Sequence, residues 1–368
     1  MLPKTTRAAV LVAHGAPLEM TDLPLPEAIE PGAALVRLHC STLCGTDIEI
    51  WSGKMSFPGM LPMVLGHEMV GEIVALGEGT LDALGRPLKT GQRIGWSEST
   101  CGHCHGCNIL REPVACSSRG YGFLQRADRP PYAISGLSQY AYVTPGAEKL
   151  VIPGAVKDTW AAMAGCTAKT VLRAFERAGN LRTGAKVVVQ GAGALGIFAT
   201  AAARLSGAGT VITVGAPESR LAMAKRFGAD HTVDIALGSE GIVEAVMAHT
   251  DGHGADYIFD FAGAPSIGRE AVGMAAQRGR IIVVGTTDHA ENPLSLGRVM
   301  GKELTFHGSL NGDIADYKRA LDFFVDFGSR MPWDDLFSAP VGLSGADAAI
   351  RAMQAQDIIK AVIDPRLS

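Results

Sequence analysis

The sequence places a histidine beside a glutamate, His67-Glu68, and carries cysteines elsewhere that can share a metal ion with that histidine. Cys44 precedes the pair, and Cys166 opens a helical stretch about a hundred residues later. A histidine between apolar residues is by itself more often a core residue than a ligand, so the prediction that His67 binds a metal depends on the cysteines. Two thiolates and one imidazole hold a tetrahedral zinc ion and leave one position open for substrate. The sequence therefore predicts a catalytic zinc site.

Three side chains next to these ligands have types that suit such a site. Thr46 has a hydroxyl that can relay a proton from a substrate on the metal. Asp47 can accept a hydrogen bond from the second ring nitrogen of His67 and so fix its tautomer, although a Thr-Asp pair alone is typical of an ordinary turn. Glu68 is either an exchangeable fourth ligand or a charge close to the metal, and the sequence leaves both roles open.

A second group of cysteines predicts a separate metal site. Three of them follow one another at intervals of three residues, and the fourth lies across a short loop: Cys101, Cys104, Cys107 and Cys116. Four thiolates close around zinc with no open position, which is typical of a structural site. The spacing suits a metal better than a disulfide framework in a large intracellular chain. We expect a structural zinc lobe over residues 97–120.

A glycine-rich turn follows the apolar segment 186–190 and precedes the helical segment 197–205. Its predicted cofactor-binding residues are Gly191, Gly193, Ala194, Leu195 and Gly196. In such a turn the first glycine permits the tight bend, the second lets the backbone approach a pyrophosphate, and the third lets the helix pack on the strand. This context, a strand before the turn and a helix after it, predicts a dinucleotide site.

The type of dinucleotide stays open. A site for NAD usually places a carboxylate about twenty residues beyond the turn, on the ribose hydroxyls. Gly215 occupies that place in this chain, so nothing there repels a 2′-phosphate, and either Ser219 or Arg220 is available to bind one. Glu218 favours the opposite choice. The sequence thus predicts a nicotinamide cofactor, either NAD or NADP.

The elements that must position these residues form two domains, as expected for 368 residues. The first part has short alternating apolar runs separated by Pro and Gly, which predict strands of a barrel or a partly open sheet. These runs are 7–13, 18–23, 34–40, 70–76, 93–96, 139–143 and 149–152. Beyond residue 159, strand and helix patterns alternate, which predicts a doubly wound parallel sheet in an α/β protein. Its predicted strands are 186–190, 210–214, 231–235, 256–261, 280–284 and 303–307.

The last part, with helices expected at 311–327 and 345–356 and a strand at 360–363, is too short for a domain. We expect it to pack on the N-terminal part.

A net charge of −4 does not favour nucleic acid or an anionic membrane as partner. No apolar run reaches the roughly 18 residues of a spanning helix, and the N-terminus lacks a signal-peptide core, so a cytoplasmic protein is expected. Trp51, Phe57 and Met60 hint at a bulky, apolar substrate.

The four motifs occur in the order found in zinc-containing alcohol dehydrogenases of the medium-chain dehydrogenase/reductase superfamily, which the whole chain resembles. They are Cys44-x-Thr46-Asp47, Gly66-His67-Glu68, the four-cysteine lobe and the glycine-rich turn. The resemblance implies a GroES-like catalytic domain (1–158 plus 311–368) and a Rossmann cofactor domain (159–310). It also implies two zinc ions per subunit and a homodimer or homotetramer. The implied reaction interconverts an alcohol and an aldehyde or ketone, with hydride transfer to or from NAD or NADP.

Further residue roles come from the same resemblance. Lys360 stands where members often place a basic residue on the cofactor pyrophosphate. Glu49 stands where many members have a histidine that passes the alcohol proton to solvent, and a carboxylate can relay it instead. For the third zinc ligand both Met163 and Cys166 fall in the region; thiolate is the better zinc ligand, which favours Cys166.

Two alternatives accompany this interpretation. The first is a quinone or enoyl reductase of the same superfamily that does not use catalytic zinc, which the ligands at Cys44, His67 and Cys166 disfavour. The second is a non-catalytic protein that binds zinc and a dinucleotide, which the open zinc position and Thr46 disfavour.

Overall fold

The computed structural model describes residues 2–120, 122–179, 181–285 and 292–367. The chain forms two compact units. The first contains Met1–Lys169, Gly312–Gly328 and Trp333–Ser368, and the second contains Thr170–Asn311 and Ser329–Pro332. The first unit thus combines the N-terminal part of the chain with the C-terminal segment. Both units contain mixed α and β structure.

The first unit is built on antiparallel sheets. Its strands are β1 (Thr5–Leu11), β2 (Glu19–Pro24), β3 (Ala34–Thr42), β4 (Met63–Val64), β5 (Glu68–Leu76), β6 (Arg93–Ser99), β7 (Tyr140–Val143), β8 (Ala147–Val151) and β15 (Val362–Ile363). One sheet has the order β2-β1-β4, and the other has the order β15-β3-β5-β6-β8, with β7 also paired to β3. Strand β15 pairs with the end of β3. The C-terminal segment therefore joins the same sheet as β5, the strand that begins at Glu68 and also pairs with β3. Apolar side chains of these strands and of the segments beside them form a core that includes Leu35, Leu43 and Leu65.

Helices of the first unit connect and cover these strands. They are α1 (Gly45–Ser52), α2 (Asp158–Met163), α9 (Ile314–Phe327) and α10 (Ala346–Gln354). Helix α3 (Lys169–Arg177) starts at Lys169, where the first segment of this unit ends, and its other residues belong to the second unit. Short 3-10 turns lie at Pro113–Ala115, Gly122–Leu124, Trp333–Leu336 and Leu343–Gly345. One turn of π-helix, Ala164–Ala168, lies between α2 and α3 and carries Cys166. Such an inserted turn re-aims side chains, and π-turns of this kind are frequent at functional sites.

The second unit has one parallel sheet with the order β11-β10-β9-β12-β13-β14. Its strands are β9 (Lys186–Gln190), β10 (Thr210–Gly215), β11 (His231–Asp234), β12 (Ala255–Asp260), β13 (Ala275–Val283) and β14 (Thr305–Gly308). Its helices are α4 (Ala194–Leu205), α5 (Glu218–Arg226), α6 (Gly238–Ala248), α7 (Ile267–Met274) and α8 (Leu296–Gly301), with a 3-10 turn at Ile235–Leu237. Counted from β9, this is the order 3-2-1-4-5-6 of a doubly wound Rossmann sheet. The predicted fold class is confirmed.

The central strands of the second unit carry runs of buried apolar residues, which is expected where helices cover both faces of a parallel sheet. Val188, Ile212, Ile258 and Ile281 are each at most 1% exposed. Ligands bind at the carboxyl ends of the strands in such sheets, beside the point where the strand order reverses. In this unit that point lies between β9 and β12, where β9 ends immediately before Gly191.

Most predicted segments match observed elements within a few residues, but α1 was not predicted as a helix. The sequence around Thr46 and Asp47 indicated only a turn. In the structure Cys44 caps the helix in an extended conformation, and the Asp47 side chain accepts a hydrogen bond from the Cys44 backbone N–H. Among the described residues no helix combines the length and apolarity needed to cross a bilayer.

Candidate functional site

The structure brings together one atom each from Cys44, His67, Glu68 and Cys166, and these atoms lie within 4.8 Å of one another. Each residue comes from a different position in the first unit: the start of α1, the segment before β5, the first residue of β5, and the π-turn. All four side chains are buried or half-buried. Two thiols, an imidazole and a carboxylate in this volume match the donors and the spacing that zinc requires.

Asp47 holds two of these residues in place. Its side chain is fully buried; one carboxylate oxygen accepts a hydrogen bond from Cys44 N at 2.8 Å, and the other accepts one from Gly66 N at 3.0 Å. The second oxygen also lies 3.3 Å from His67 Nδ1. One carboxylate therefore fixes the backbone on both sides of the cluster and leaves Nε2 of His67 as the nitrogen that can face a metal.

The electrostatics favour a charged cysteine beside the histidine. A hydrogen bond with Cys166 lowers the pKa of Cys44 well below its ordinary value, against the opposing effect of burial, and His67 adds to the lowering. Burial opposes a charged imidazole, but the Asp47 carboxylate and Cys44 outweigh it and raise the pKa of His67. A thiolate at Cys44 is the form that binds zinc.

Glu68 is held in a network of its own. Its side chain is 0% exposed; one oxygen lies 2.6 Å from Lys360 Nζ and accepts a hydrogen bond from Thr42, and the other accepts one from Thr167 at 3.0 Å. Burial raises the pKa of the Glu68 carboxyl, although Lys360 opposes this effect. Sequence reasoning did not find this network, because its members come from two strands, the segment before β15 and the π-turn, which are far apart in the chain.

The remaining predicted residues of this region are placed as follows. Thr46 lies half-buried in the first turn of α1, two residues after Cys44, and Glu49 lies half-buried one turn later. Lys360 is only 1% exposed and forms the ion pair with Glu68; its expected role on the cofactor stays a prediction. Met163 is fully buried at the end of α2, one turn before the thiol that joins the cluster.

The four cysteines of the lobe also converge. The sulfur atoms of Cys101, Cys104, Cys107 and Cys116 lie within 4.8 Å of one another. Cys116 Sγ lies 3.6 Å from Cys101 Sγ, close to the ~3.8 Å between ligands of tetrahedral zinc with Zn–S bonds of ~2.3 Å and far from a ~2.05 Å disulfide. Backbone N–H groups of Cys107 and Ser117 lower the pKa of Cys104 to about 5. The lobe therefore fits zinc with four thiolates.

The glycine-rich turn has the geometry that its sequence predicts. Gly191 has a φ of +110°, and Gly193 caps α4. A Cβ on Gly196 would lie 1.8 Å from Gly191 O, whereas a Cβ on Gly193 would meet no protein atom within 4 Å. Gly196 is thus required by packing, and Gly193 leaves open space at the N-terminus of α4, the kind of position that binds pyrophosphate in dinucleotide-binding turns. Ala194 and Leu195 form the first turn of that helix.

Gly215 ends β10 directly beside this turn. A Cβ there would lie 2.6 Å from Ala192 Cβ, so the backbone packing excludes any side chain, including the carboxylate typical of NAD sites. Arg220 lies half-buried in the first turn of α5, and Glu218 begins that helix exposed. Both remain candidates for contacts with the adenosine ribose, and the choice between NAD and NADP stays open.

A cavity of about 120 Å³ opens beside the metal cluster within the first unit, with His67 in its wall. Trp51 and Met60, from which a bulky substrate was expected, pack instead in the hydrophobic core of this unit, and Phe57 is half-exposed elsewhere. The residues that do line the cavity include Trp96, Glu98 and Lys169. Glu98 and Lys169 were missed by sequence reasoning, although Lys169 lies only three residues after Cys166.

Comparison with known proteins gives consistent matches over the whole chain. Residues 30–153 match the family described as "Alcohol dehydrogenase GroES-like domain", and residues 194–326 match "Zinc-binding dehydrogenase". A 5-exo-hydroxycamphor dehydrogenase from Pseudomonas putida is 30% identical over 366 residues, covering 98% of this chain and 99% of the relative. A sorbitol dehydrogenase from Halalkalibacterium halodurans is 28% identical over 90% of this chain and 91% of its own length. An alcohol dehydrogenase structure from Thermotoga maritima superposes with a TM-score of 0.89 at 27% identity, over 98% of this chain and 99% of that one.

Proposed function

Since the chain belongs to the zinc-containing alcohol dehydrogenases of the medium-chain dehydrogenase/reductase superfamily, we propose specific roles for its residues in that reaction. The protein is an NAD(P)-dependent oxidoreductase that interconverts alcohols and carbonyl compounds, as the sequence predicted. The observation that supports the residue roles is the convergence of Cys44, His67, Glu68 and Cys166 on one small volume. The alternative that does not use catalytic zinc offers no reason for such a set of donors, and the non-catalytic alternative offers none for Thr46 beside an open zinc position.

Cys44, His67 and Cys166 are the proposed protein ligands of the catalytic zinc. A bound zinc ion supplies Lewis-acid stabilisation of negative charge on the substrate oxygen. Glu68 is less available than the other three donors, because Thr42, Thr167 and Lys360 already bind its two oxygens. We therefore assign Glu68 a role beside the metal, with ligation only if it leaves these partners.

Thr46 is the proposed proton acceptor. It stands on the first turn of α1, two residues beyond a zinc ligand, and its hydroxyl can both accept the alcohol proton and donate its own. Glu49, on the next turn of the same helix, is the proposed relay toward solvent. Asp47 is a positioning residue, since it contacts the backbone and His67 rather than substrate.

The nicotinamide dinucleotide supplies the hydride acceptor or donor. Gly191, Gly193, Ala194, Leu195 and Gly196 are proposed to bind its pyrophosphate through backbone N–H groups at the start of α4. Gly215 and Arg220 flank the place of the adenosine ribose, and Lys360 is proposed to reach the pyrophosphate when its pairing with Glu68 is released.

Replacement of one catalytic ligand tests these roles. Cys44→Ser is expected to lower the zinc content from two ions to one per chain and to reduce kcat/KM for alcohol oxidation by at least about a thousandfold, because zinc stabilises the developing alkoxide by several kcal/mol. Zinc content by mass spectrometry of metals and initial rates with NAD and NADP provide the measurement.

Cys40→Ser is the matched control, since Cys40 is a buried thiol on β3 outside both cysteine groups. It should keep both zinc ions and most of the activity. Full activity in zinc-depleted Cys44→Ser protein would refute the proposed roles.

We also propose a cytoplasmic homodimer or homotetramer. The described cysteines are all free, and both metal groups need reduced thiols, which a reducing compartment maintains. Assembly through the second unit is the form that we expect from its exposed sheet edge.

A further inference from the structure

The cavity beside the metal cluster has one apolar side and one charged side. Met69, Trp96 and Ile134 contribute apolar surface, whereas Glu98 and Lys169 contribute charges. His67 lies in the same wall, and Gly165 adjoins Cys166. A substrate with its reacting oxygen at the metal therefore extends along a surface that is not uniformly apolar.

The charged side is a buried network. Lys169 Nζ lies 3.1 Å from Glu98 Oε2, and Arg119 Nη2 lies 3.0 Å from the same oxygen. The three side chains are only 1%, 13% and 5% exposed, in the order Lys169, Glu98 and Arg119. Arg119 also donates to Gly312 O at 2.9 Å. Lys169 and Glu98, unlike Arg119, form part of the cavity wall.

Burying such charges is costly, and an ion pair at this depth seldom stabilises a fold more than apolar side chains of similar volume would. Because the ion pair lies in the wall of a substrate cavity, it affects which substrates bind there. An alcohol that is apolar beyond its hydroxyl would displace water from the pair and leave hydrogen-bonding capacity unsatisfied, which is unfavourable. A second hydroxyl would do the opposite, because it can donate to a carboxylate and accept from an ammonium group at the same time.

Building on the proposed function, we propose that Lys169 and Glu98 form a specificity subsite that binds a second hydroxyl of the substrate. The preferred substrates are thus polar alcohols of the diol or polyol class rather than bulky, apolar ones. Lys169 donates to the second hydroxyl, Glu98 accepts from it, and Trp96 packs against the carbon skeleton.

Matched pairs of alcohols test the subsite, and we choose 2-butanol with 2,3-butanediol and cyclohexanol with trans-1,2-cyclohexanediol. In the wild-type enzyme kcat/KM should be at least about tenfold higher for each diol, as expected for one added hydrogen bond to a charged group. In Lys169→Met this ratio should fall to within about threefold of one. Lys169→Arg should restore most of the ratio, since it keeps the charge.

A binding measurement and a control variant separate recognition from folding. Calorimetric titration of the zinc-loaded, cofactor-free enzyme with each diol should show a weaker dissociation constant in Lys169→Met and in Glu98→Gln. Lys157→Met removes a lysine from an exposed ion pair with Asp334 in the same unit. It should change neither the ratio of kcat/KM between diol and mono-alcohol nor the dissociation constants of the diols. Glu98→Gln also covers the case in which Lys169→Met does not fold.

The outcomes are distinct. Equal or higher kcat/KM for the mono-alcohols in wild type, or an unchanged ratio in both Lys169→Met and Glu98→Gln, overturns the subsite and leaves the dehydrogenase function intact. Absence of turnover with every alcohol and both cofactors overturns the proposed function itself.

Discussion

At the scale of single residues, buried carboxylates organise both units, and their partners determine their roles. Asp47 is fully buried, yet backbone N–H groups and His67 surround it. Glu68 is equally buried and has Lys360 as its counter-ion. Asp260, in the second unit, has only N–H groups: its Oδ1 accepts from Ala262 N at 2.8 Å and from Gly263 N at 2.9 Å. No cation of the described residues contacts it, so within that part of the chain its charge is the least compensated of the three.

This difference predicts how stability depends on pH. Burial raises the pKa of Asp260 to about 6, so the folded chain holds its proton more tightly than the unfolded chain does. The contribution of Asp260 to folding stability is therefore fully present below the unfolded pKa of about 4 and is lost as the pH rises through about 6, by roughly 2–3 kcal/mol at full effect. Asp260→Asn keeps an oxygen acceptor for both N–H groups but has no charge. The free energy of unfolding of this variant should equal that of the wild type near pH 4 and exceed it at pH 8. Urea unfolding across that pH range measures both.

Asp251→Asn provides a control of opposite sign. Lys186 lowers the pKa of Asp251, so that carboxylate contributes stability above its unfolded pKa, and the contribution is lost as the pH falls. Asp251 is exposed, and its effect should be small. A stability difference between wild type and Asp260→Asn that stays constant from pH 4 to pH 8 would contradict the assignment.

At the scale of elements, the glycine-rich turn separates cofactor binding from folding. A Cβ at position 193 meets no protein atom within 4 Å, and the residue has a φ of −82°, which alanine adopts freely. Gly193→Ala should leave the melting temperature within about 2 °C of wild type and weaken NAD or NADP binding at least about tenfold, because the methyl group occupies the approach to the pyrophosphate. Titration by nicotinamide fluorescence measures the binding.

Gly196→Ala is the comparison variant. Its Cβ would lie 1.8 Å from Gly191 O, so it should destabilise the fold by about 1–3 kcal/mol in addition to its effect on binding. Unchanged dinucleotide affinity in Gly193→Ala would show that the pyrophosphate does not bind at this turn.

The elements also show what the sequence could predict. The turn around Gly191 and the lobe from Cys101 to Cys116 were predictable because each site is contiguous, so local spacing alone carries its geometry. Strand β9 was predicted at its observed bounds for the same reason. Helix α1 was not, because its eight residues have little amphipathic pattern and its capping depends on one side chain, Asp47.

Sites assembled from distant segments were predictable only in part. The types of Cys44, His67 and Cys166 indicated a shared metal, but the partners of Glu68 did not emerge from any local pattern. Lys360 lies beside Glu68 because β15 pairs with the end of β3, and a pairing between strands more than three hundred residues apart leaves no signal in one sequence. The pair of Lys169 and Glu98 is hidden for the same reason.

At the scale of the whole molecule, the free edge of the parallel sheet predicts assembly. Within the described part of the chain, β14 pairs with β13 alone and so presents an open row of backbone N–H and C=O groups. Nearby, Leu296 and Met300 are 74% and 77% exposed, and Leu310 is 63% exposed. Leu296 and Met300 lie four residues apart on α8 and therefore share one face of that helix. Unpaired edges and exposed apolar side chains together favour pairing with a second chain.

The double variant Leu296→Glu/Met300→Glu tests this surface. The wild type should run at two or four times the chain mass of 38.5 kDa in light scattering coupled to size exclusion, and the variant should run at half the wild-type mass, because charges are strongly disfavoured at the centre of an interface. Ile235→Glu/Leu237→Glu is the matched control: both side chains are similarly exposed but adjoin β11, at the opposite edge of the sheet. It should keep the wild-type mass. A wild type that is monomeric at micromolar concentration, or a control that dissociates as fully as the α8 variant, would exclude this edge as the interface.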